Sequence, residues 1–556
     1  MFGVRYELVL ASSGLALILA IPLTVMTQGV DKLAAAPVAE ASGEQASTSD
    51  AAVTVSPTNA LPSSVPTDQA TATDQILPPD PLASLDPADR AVAEKIRDLL
   101  AAKSDRFFAS KKEGEAAAAF YQNRNLAPLW VEHGVANARA ASVIARMKAA
   151  DADGLEPSDY RPPNFDAMGP QALAEAELKL TGTLLTFVRH LQAGRFPYTR
   201  VSRNIELPQA LPEPADILSR IADAADPAQT LDAFSPQQEP YRKLKAMLAE
   251  LRAKSSAGKG EVSRQIETVI ANMERWRWYP RDLGNAHVLV NQPDFTLKVM
   301  HNGTQVWTSR IVIGKPTMPT PLLSETMKSI TVNPTWHVPA SIVRNEYLPA
   351  LAEDPTVLDR MGLRVNYNGG EVEITQPPGD GNALGRLRFN FFNRFSVFQH
   401  DTPDKQLFGL EFRAYSHGCM RVQDPAKYAE VLLNIARPNE RWTVERIKGK
   451  FGGAEQDIQL PPTQIWVHLT YQTAFVDNAS KLQIRPDVYN LDSRTLAAIK
   501  TEHGTIESAS NRKRGQEAAS GPVSDRPARP AGAGAHLRST SYEAPGYLRP
   551  QAPVYR

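Results

Sequence analysis

The feature that most limits how this 556-residue chain can fold is the position of two long segments with few large apolar residues. Residues 31–87 are mainly Ala, Ser, Thr, Pro and Asp, and residues 500–556 are similarly polar. Such segments cannot bury enough apolar surface to offset the entropy lost on ordering. We therefore predict a disordered linker and a disordered tail, with the packed part of the chain between them.

The first 30 residues are predicted to be a targeting element. Arg5 precedes an apolar run at residues 8–26, which is broken by five small or polar residues. A run of this length fits an uncleaved signal anchor, the preferred interpretation, and a cleaved signal peptide is the alternative. In either case the rest of the chain is exported, and a single cysteine suits an oxidising compartment.

The middle of the chain contains two kinds of hydrophobic pattern. Residues 88–284 repeat apolar residues at helical spacing, for example at Leu184, Leu185 and Val188. Residues 285–495 instead hold runs of β-formers separated by turn signals such as Asn302-Gly303. The predicted strands are residues 288–290, 295–300, 306–313, 329–332, 387–391, 395–399 and 465–471. The predicted fold class is α+β, a helical domain followed by a β-rich domain with a mixed or antiparallel sheet.

Cys419 and His400 carry the strongest chemical signal. Cys419 is the only cysteine, so it cannot form an intrachain disulfide, and its segment Y-S-H-G-C-M-R at residues 415–421 lacks the apolar neighbours of a core thiol. A thiol attacks a carbonyl as the thiolate, which needs a nearby base or positive charge. His400, His417 and Arg421 are the candidates for that role.

A helix is predicted directly behind the cysteine. Asp424 is suited to be its N-cap and Pro425 its first residue, and apolar residues then follow at helical spacing. Cys419 would lie in a loop just before this helix, where the helix dipole favours a thiolate.

The cysteine segment resembles the signature of the L,D-transpeptidases, bacterial cell-wall enzymes with a YkuD-type catalytic domain. The run S-H-G-C-x-R follows His400 by nineteen residues at the cysteine, and H-D-T-P, K-Q-L-F and V-Q-D-P occur in the same order at residues 400–403, 405–408 and 422–425. Residues 125–130, 191–195 and 272–280 resemble the helical scaffold of the long periplasmic members. The resemblance therefore extends over both predicted domains.

The resemblance also implies a lid and shows one departure from the family pattern. Residues 337–384, with a helix at 341–351 and a Gly369-Gly370 turn, would be a lid over the cysteine; the alternative is a surface insertion without a role. Long members often carry a peptidoglycan-binding domain between the last two scaffold helices. Here the connection at residues 252–263 is too short to hold one.

The resemblance assigns roles to individual residues. Cys419 would attack the third residue of a tetrapeptide stem, release D-alanine and pass the acyl group to an amine, most simply in a 3→3 cross-link. His400 would be the general acid/base as a neutral imidazole near its unperturbed pKa, and His417 and the backbone amides of Gly418 and Cys419 would line the oxyanion site. Predicted substrate contacts are Arg421, Ser416, Trp336 and Phe398.

The expected partners are peptidoglycan stem peptides, β-lactams of the carbapenem class, and the inner membrane through residues 8–26. The expected location is the periplasm. We expect no cofactor or metal, because the histidines and the cysteine lack zinc-site spacing and a fourth ligand, and the net charge of +0 gives no reason to expect nucleic acid. The alternatives are an inert core cysteine, a sortase-like transpeptidase, an enzyme that attaches lipoproteins to the wall, and a non-catalytic wall scaffold.

Overall fold

The computed structural model describes residues 82–103, 106–166, 169–254, 260–368, 371–461 and 464–519. The predicted targeting element at residues 1–30 and nearly all of the predicted linker lie outside these ranges. Within them, no helix is both long and apolar enough to cross a membrane.

The first half of the described chain is helical, as the apolar spacing predicts. Its helices are α1 (Pro87–Lys103), α2 (Lys111–Asn123), α3 (Ala138–Lys148), α4 (Pro170–Ala193), α5 (Pro214–Asp223), α6 (Pro227–Asp232), α7 (Glu239–Lys254) and α8 (Glu261–Trp276). Its short strands are β1 (Val131–Glu132), β2 (Val135–Ala136) and β3 (Ile205–Glu206). Helix α4 is central and buried along most of its length.

Glu177 shows why the loop at residues 125–130 packs beside this central helix. Its carboxylate is fully buried and accepts hydrogen bonds from the N–H groups of Leu129 (2.5 Å) and Trp130 (3.0 Å) and from Tyr121 Oη (2.9 Å). Burial raises the pKa of Glu177 to about 7 despite these donors. The loop therefore packs on α4 through polar contacts that a buried carboxylate requires.

The second half is rich in strands. These are β4 (Ala286–Asn291), β5 (Thr296–His301), β6 (Thr304–Gly314), β7 (Leu322–Thr326), β8 (Ser329–Val332), β9 (Trp336–His337), β10 (Arg364–Asn368), β11 (Glu371–Gln376), β12 (Leu387–Asn390), β13 (Gln399–His400), β14 (Ala414–Ser416), β15 (Met420–Val422), β16 (Gln456–Gln459), β17 (Ile465–Thr470), β18 (Ala474–Val476) and β19 (Leu482–Ile484). The helices are α9 (Ala340–Ile342), α10 (Leu348–Glu353), α11 (Val357–Arg360), α12 (Pro425–Ala436), α13 (Val444–Lys448) and α14 (Leu491–Ala519).

One mixed sheet of twelve strands organises this half. Its order is β16-β8-β12-β13-β15-β6-β5-β4-β17-β7-β3, with β14 beside β6. Four pairs are parallel: β13 with β15, β14 with β6, β17 with β4, and β3 with β7. Strand β3 comes from the helical half, so the two halves share a sheet. The α+β prediction is confirmed.

The predicted strand at residues 395–399 is wrong for all but its last residue. Asn393 Oδ1 accepts hydrogen bonds from the N–H groups of Phe395 (3.1 Å) and Val397 (3.2 Å), and Ser396 has a φ of +53°. The side chain thus holds a turn, which replaces ladder hydrogen bonds. Only Gln399 and His400 join the sheet as β13.

The prediction of a disordered tail is wrong for residues 500–519, where α14 continues. Leu491 and Thr495 are buried at its start. Further along, Glu502 pairs with Arg200 (2.5 Å) and His503 pairs with Asp159 (2.6 Å) of the helical half. A polar composition does not prevent a helix that extends from a packed first turn. Residues 520–556 lie outside the described ranges.

The predicted lid has an apolar core of its own. Strands β9, β11 and β10 form a small sheet, and α9, a π-helical segment at Val343–Tyr347 and α10 form one continuous helix that includes the predicted residues 341–351. The core consists of Val338, Ile342, Val343, Leu358, Leu363 and Ile374. The predicted Gly369-Gly370 turn lies outside the described residues. We call residues 336–376 the lid from here on.

Candidate active site

His400 lies on β13, and Cys419 directly precedes β15, the parallel neighbour of β13. Between β13 and β15, Gln399 pairs with Met420 and His400 pairs with Arg421. Side chains alternate between the two faces of a strand. Gln399 and Met420 are fully buried on the core face, so their neighbours His400 and Arg421 belong to the opposite face.

A backbone contact fixes the tautomer of His400. Its Nδ1 lies 2.5 Å from the Asp401 carbonyl oxygen. A carbonyl can only accept, so Nδ1 carries the hydrogen and Nε2 keeps a lone pair that can take a proton. The Asp401 side chain is held in turn by the N–H groups of Thr402 (2.7 Å) and Arg386 (2.9 Å) and by Lys405. The sequence motif H-D-T-P therefore builds a rigid support for the imidazole.

His400 is neutral at pH 7. Its imidazole is buried, and two guanidinium groups flank it on the neighbouring strands, those of Arg421 on β15 and Arg388 on β12. Burial first, and then the Arg421 charge, lower the pKa of His400 to about 3. The imidazole is neutral as predicted, but the expectation of a pKa near its unperturbed value is wrong, because burial lowers that pKa strongly.

Cys419 is a neutral thiol at rest, which corrects the expectation of a thiolate. Burial raises its pKa to about 11, although the Phe398 backbone and the charge of Arg421 act in the opposite direction. The predicted helix begins at Pro425, and Asp424 makes no capping hydrogen bond. Strand β15 separates that helix from the cysteine, and a helix dipole acts only near the first turn.

The cysteine loop is closed by its own serine. Ser416 Oγ donates to the Cys419 carbonyl oxygen (2.5 Å) and accepts the Gly418 N–H (3.2 Å). The Gly418 N–H is therefore engaged within the loop, which corrects its predicted role as a free oxyanion donor. Ser416 is buried and bonds within the motif, and its contact with substrate stays a prediction. The Cys419 N–H has no acceptor among the described residues, so it is the candidate oxyanion donor in this loop.

Thr320, which sequence reasoning did not single out, fixes the direction of that donor. Its Oγ1 donates to the Gly418 carbonyl oxygen (2.7 Å) and accepts the Gly314 N–H (2.9 Å). The Gly418 C=O and the Cys419 N–H belong to one planar peptide. Holding the Gly418 carbonyl therefore also orients the Cys419 N–H, which points to the opposite side of the same peptide bond. Nothing in the local sequence pattern links residue 320 to residue 418.

The support of this loop continues into the helical half. Tyr489 Oη donates to the Gly314 carbonyl oxygen (2.6 Å), and its N–H donates to Tyr471 Oη (2.8 Å). The Tyr471 carbonyl oxygen accepts from Arg275 Nε of α8 (2.9 Å), and Arg275 also pairs with Asp492 of α14 (2.6 Å). The cysteine loop is thus connected to α8 through buried hydrogen bonds.

The other predicted substrate contacts, Arg421, Phe398 and Trp336, each have partners within the protein. Arg421 pairs with Asp404 (2.8 Å), so its guanidinium fastens the His400 loop to the cysteine strand. The Phe398 ring contacts the His400 ring edge-on at 5.7 Å between centroids, and Trp336 contacts Tyr347 of the lid in the same way. Substrate contact by Arg421, Phe398 and Trp336 stays a prediction.

His417 is the last of the predicted site residues. His417 Nε2 bonds Glu346 of the lid (2.7 Å), so its imidazole is engaged there, and its oxyanion role stays a prediction.

In the described part of the chain, the residues grouped closely enough to ligate a metal are Asp86, Asp89 and His133 on the scaffold surface.

Comparison with known families agrees with this geometry. A model of the L,D-transpeptidase catalytic domain, YkuD, matches residues 285–447, and a model of a scaffold domain matches residues 115–248. Residues 285–447 therefore match the L,D-transpeptidase catalytic domain, and the chain is similar to proteins of that family. A curated protein of Haemophilus influenzae described as "Putative L,D-transpeptidase" is 26% identical over 410 residues, covering 69% of this chain and 79% of that one.

Solved structures of L,D-transpeptidases match over a smaller part. One from Mycobacterium smegmatis is 12% identical, covers 34% of this chain and 59% of its own, and has a TM-score of 0.18. Another, in complex with imipenem, is 13% identical with the same coverage and TM-score. The matched part is thus less than two thirds of these solved chains. The fold assignment rests on the two family models and not on these structural matches.

The neutral thiol of Cys419 predicts slow alkylation at pH 7. With a pKa of about 11, roughly one Cys419 in 10,000 is a thiolate at pH 7, and the fraction rises tenfold per pH unit. Iodoacetamide labelling followed by intact-mass spectrometry should therefore accelerate about tenfold per unit between pH 6 and pH 9. Cys419 is the only cysteine, so the label is unambiguous. A rate that is already constant at pH 7 would contradict a neutral resting thiol.

Replacing Thr320 with Val should slow acylation of Cys419 without unfolding the protein. The variant keeps the shape but loses both hydroxyl hydrogen bonds, so the Cys419 N–H is no longer oriented. We expect a loss of about tenfold to 100-fold in kcat, below the cost of deleting an oxyanion donor, with little change in KM. Thr320→Ser, which keeps the hydroxyl, should restore most of the rate. Equal losses in both variants would argue for a packing role instead.

Proposed function

We propose that this protein is a cysteine L,D-transpeptidase that acts on the tetrapeptide stems of peptidoglycan. The observation that supports the proposal is the pairing of β13 with β15, in which His400, with a free Nε2 lone pair, lies beside the strand that directly follows Cys419. A neutral base beside a neutral thiol suits proton transfer that accompanies attack on a carbonyl.

In the acylation step, Cys419 Sγ attacks the carbonyl of the third stem residue while His400 Nε2 takes the thiol proton. The resulting oxyanion is stabilised by the Cys419 N–H, which Thr320 and Ser416 hold in place. The tetrahedral adduct then collapses, and the C–N bond to the terminal D-alanine breaks. His400 returns its proton to the leaving amine, so a thioester and free D-alanine remain.

In the transfer step, an acceptor amine attacks the thioester. His400 takes a proton from the amine nitrogen as the new amide bond forms. The C–S bond breaks and the proton goes to the thiolate, which restores the neutral pair. A side-chain amine of a second stem gives a 3→3 cross-link; a free D-amino acid or a protein lysine would give exchange or attachment products through the same steps.

The same nucleophile should open a carbapenem ring. Attack on the strained lactam carbonyl follows the acylation step, except that the amine stays tethered and cannot leave. This would hold the enzyme as a stable thioester.

We place this reaction in the periplasm. The support is the apolar run at residues 8–26, which predicts export with or without retention in the inner membrane. N-terminal sequencing of the mature protein distinguishes the two, since a start at residue 34 or later means a cleaved signal.

The experiment that tests the function is mass spectrometry of muropeptides after the purified protein has been incubated with disaccharide tetrapeptides. A 3→3 dimer with loss of one D-alanine per link is the expected product. Exchange of the terminal D-alanine for an added D-amino acid would identify a different acceptor. Unchanged tetrapeptides, with correctly folded protein, would refute the proposal.

A further inference from the structure

The lid contacts the cysteine loop through the carboxylate of Glu346. This residue lies in the π-helical segment, and its Oε1 is 2.7 Å from His417 Nε2 and 3.8 Å from Lys315 Nζ. A carboxylate oxygen accepts, so His417 Nε2 carries the hydrogen of this bond. Two donors of the catalytic domain therefore converge on one carboxylate of the lid.

Both donors are fixed close to the nucleophile. His417 precedes Cys419 by two residues, so their Cα atoms are at most about 7 Å apart. Lys315 directly follows β6, and its N–H donates to the Ser416 carbonyl oxygen (2.8 Å). The position of the two donors is set by the backbone of β6 and the cysteine loop, which are themselves held by Thr320.

The contact is accessible to a competing ligand. The side chains of Lys315, Glu346 and His417 are 36%, 38% and 33% exposed. Polar contacts with this much solvent exposure contribute little net stability. Two other lid carboxylates, Glu373 and Asp354, pair with residues of the lid itself. Glu346 instead hydrogen-bonds His417 and lies within ion-pair distance of Lys315, both of the catalytic domain. These two side chains would face a bound substrate if the lid moved away.

We propose that Lys315 and His417 form a binding site for the terminal carboxylate of the acyl donor, and that Glu346 fills this site when no donor is bound. The inference rests on the proposed function, since the donor is a tetrapeptide whose terminal D-alanine leaves. That carboxylate is attached to the carbon next to the nitrogen of the scissile bond. When Cys419 attacks the preceding carbonyl, the carboxylate must therefore lie a few ångströms from the thiol, in the region of Lys315 and His417.

A carboxylate site at Lys315 and His417 that Glu346 fills has two consequences. Donors that end in a free carboxylate are preferred over donors in which the next group is an amide. Binding of such a donor also displaces Glu346, so the lid is released by the substrate that it admits.

The test uses the Cys419→Ala protein, which binds donors without reacting, and isothermal titration calorimetry with two peptides, the tetrapeptide and its C-terminal carboxamide. The free acid should bind about tenfold more tightly, the size of one hydrogen bond to a charged group. Adding Lys315→Met should bring the two dissociation constants together. Adding Glu346→Gln should tighten the acid several-fold and leave the carboxamide unchanged. Glu353→Gln, an exposed lid carboxylate on α10, is the matched control and should change neither.

Three results would overturn the inference: equal affinity for acid and carboxamide, an equal loss for both peptides with Lys315→Met, or no gain for the acid with Glu346→Gln. The proposed function is read separately, from the acyl-enzyme mass of the wild type with the tetrapeptide. If the acid preference depends on Lys315 while no acyl-enzyme forms, the carboxylate site stands and the transpeptidase proposal falls. If the acyl-enzyme forms without acid preference, the reverse holds.

Discussion

Cys419→Ala should abolish both acyl transfer and carbapenem labelling. A thioester needs a sulfur atom, and Cys419 supplies the only thiol in the chain. With the wild type, a carbapenem should add one inhibitor mass to the protein, and the muropeptide assay should give cross-linked dimers. With the alanine variant, intact-mass spectrometry should show no adduct, and the tetrapeptides should be unchanged. The loss should be complete within the sensitivity of either method.

Cys419→Ser is the informative companion to that variant. It keeps the shape of the loop and the hydrogen bond from Ser416 to the residue 419 carbonyl, but its hydroxyl has a much higher pKa than a thiol and is a poor nucleophile beside a neutral imidazole. Activity should fall close to background while the melting temperature stays near that of the wild type. Dimers made by the alanine variant, or an adduct on another residue, would show that the nucleophile has been misassigned.

His400→Ala should be the second most damaging change. Without Nε2 the thiol of Cys419 has no proton acceptor, and at pH 7 almost none of it is already ionised. General-base effects predict a loss of about 100-fold to 10,000-fold in the acylation rate. Stopped-flow or quenched-flow acylation by a carbapenem measures this step alone, because transfer to an amine is not required.

The pH dependence of the acylation rate tests whether His400 acts as the general base. The wild type should show no acid limb near pH 6 from this histidine, since its pKa is about 3 and the base is already neutral. The His400→Ala rate should instead increase tenfold per pH unit as the thiolate fraction grows. His301→Ala is the matched control, because His301 pairs with Thr304 at the start of β6 whereas Arg421 pairs with Val312 near the other end of that strand. A wild-type rate that halves near pH 6.5 would contradict a buried neutral imidazole.

Local sequence patterns were sufficient for the fold class and for most of the strands. Alternation and β-formers predicted β4, β5, β6, β8, β12 and β17, because each of these pairs over four or more residues in a hydrophobic environment. They failed at residues 395–399, where a single side chain, Asn393, holds a turn in an otherwise strand-like run. They failed again at residues 500–519, where contacts of Glu502 and His503 with the helical half support a helix of polar composition.

The state of the catalytic pair could not be read from the residues near Cys419. The proximity of histidines, an arginine and a predicted helix favoured a thiolate. In the folded protein, burial outweighs all of these, and the pKa of the thiol rises while that of the imidazole falls. Burial depends on the strands that surround β13 and β15, and these come from parts of the chain as distant as β6 and β12.

The sequence by itself determined which residues are the candidates for the chemistry: the only cysteine, a histidine nineteen residues before it, and a motif that resembles a known family signature. It determined as well that a helical part precedes a β-rich part. The tertiary structure decided how those atoms are held. Thr320, Glu346 and Lys315 reach the cysteine loop from 70 to more than 100 positions away, through hydrogen bonds that depend on sheet register and lid placement. Such contacts are set by the packing of whole elements, and no local pattern of residue types encodes them.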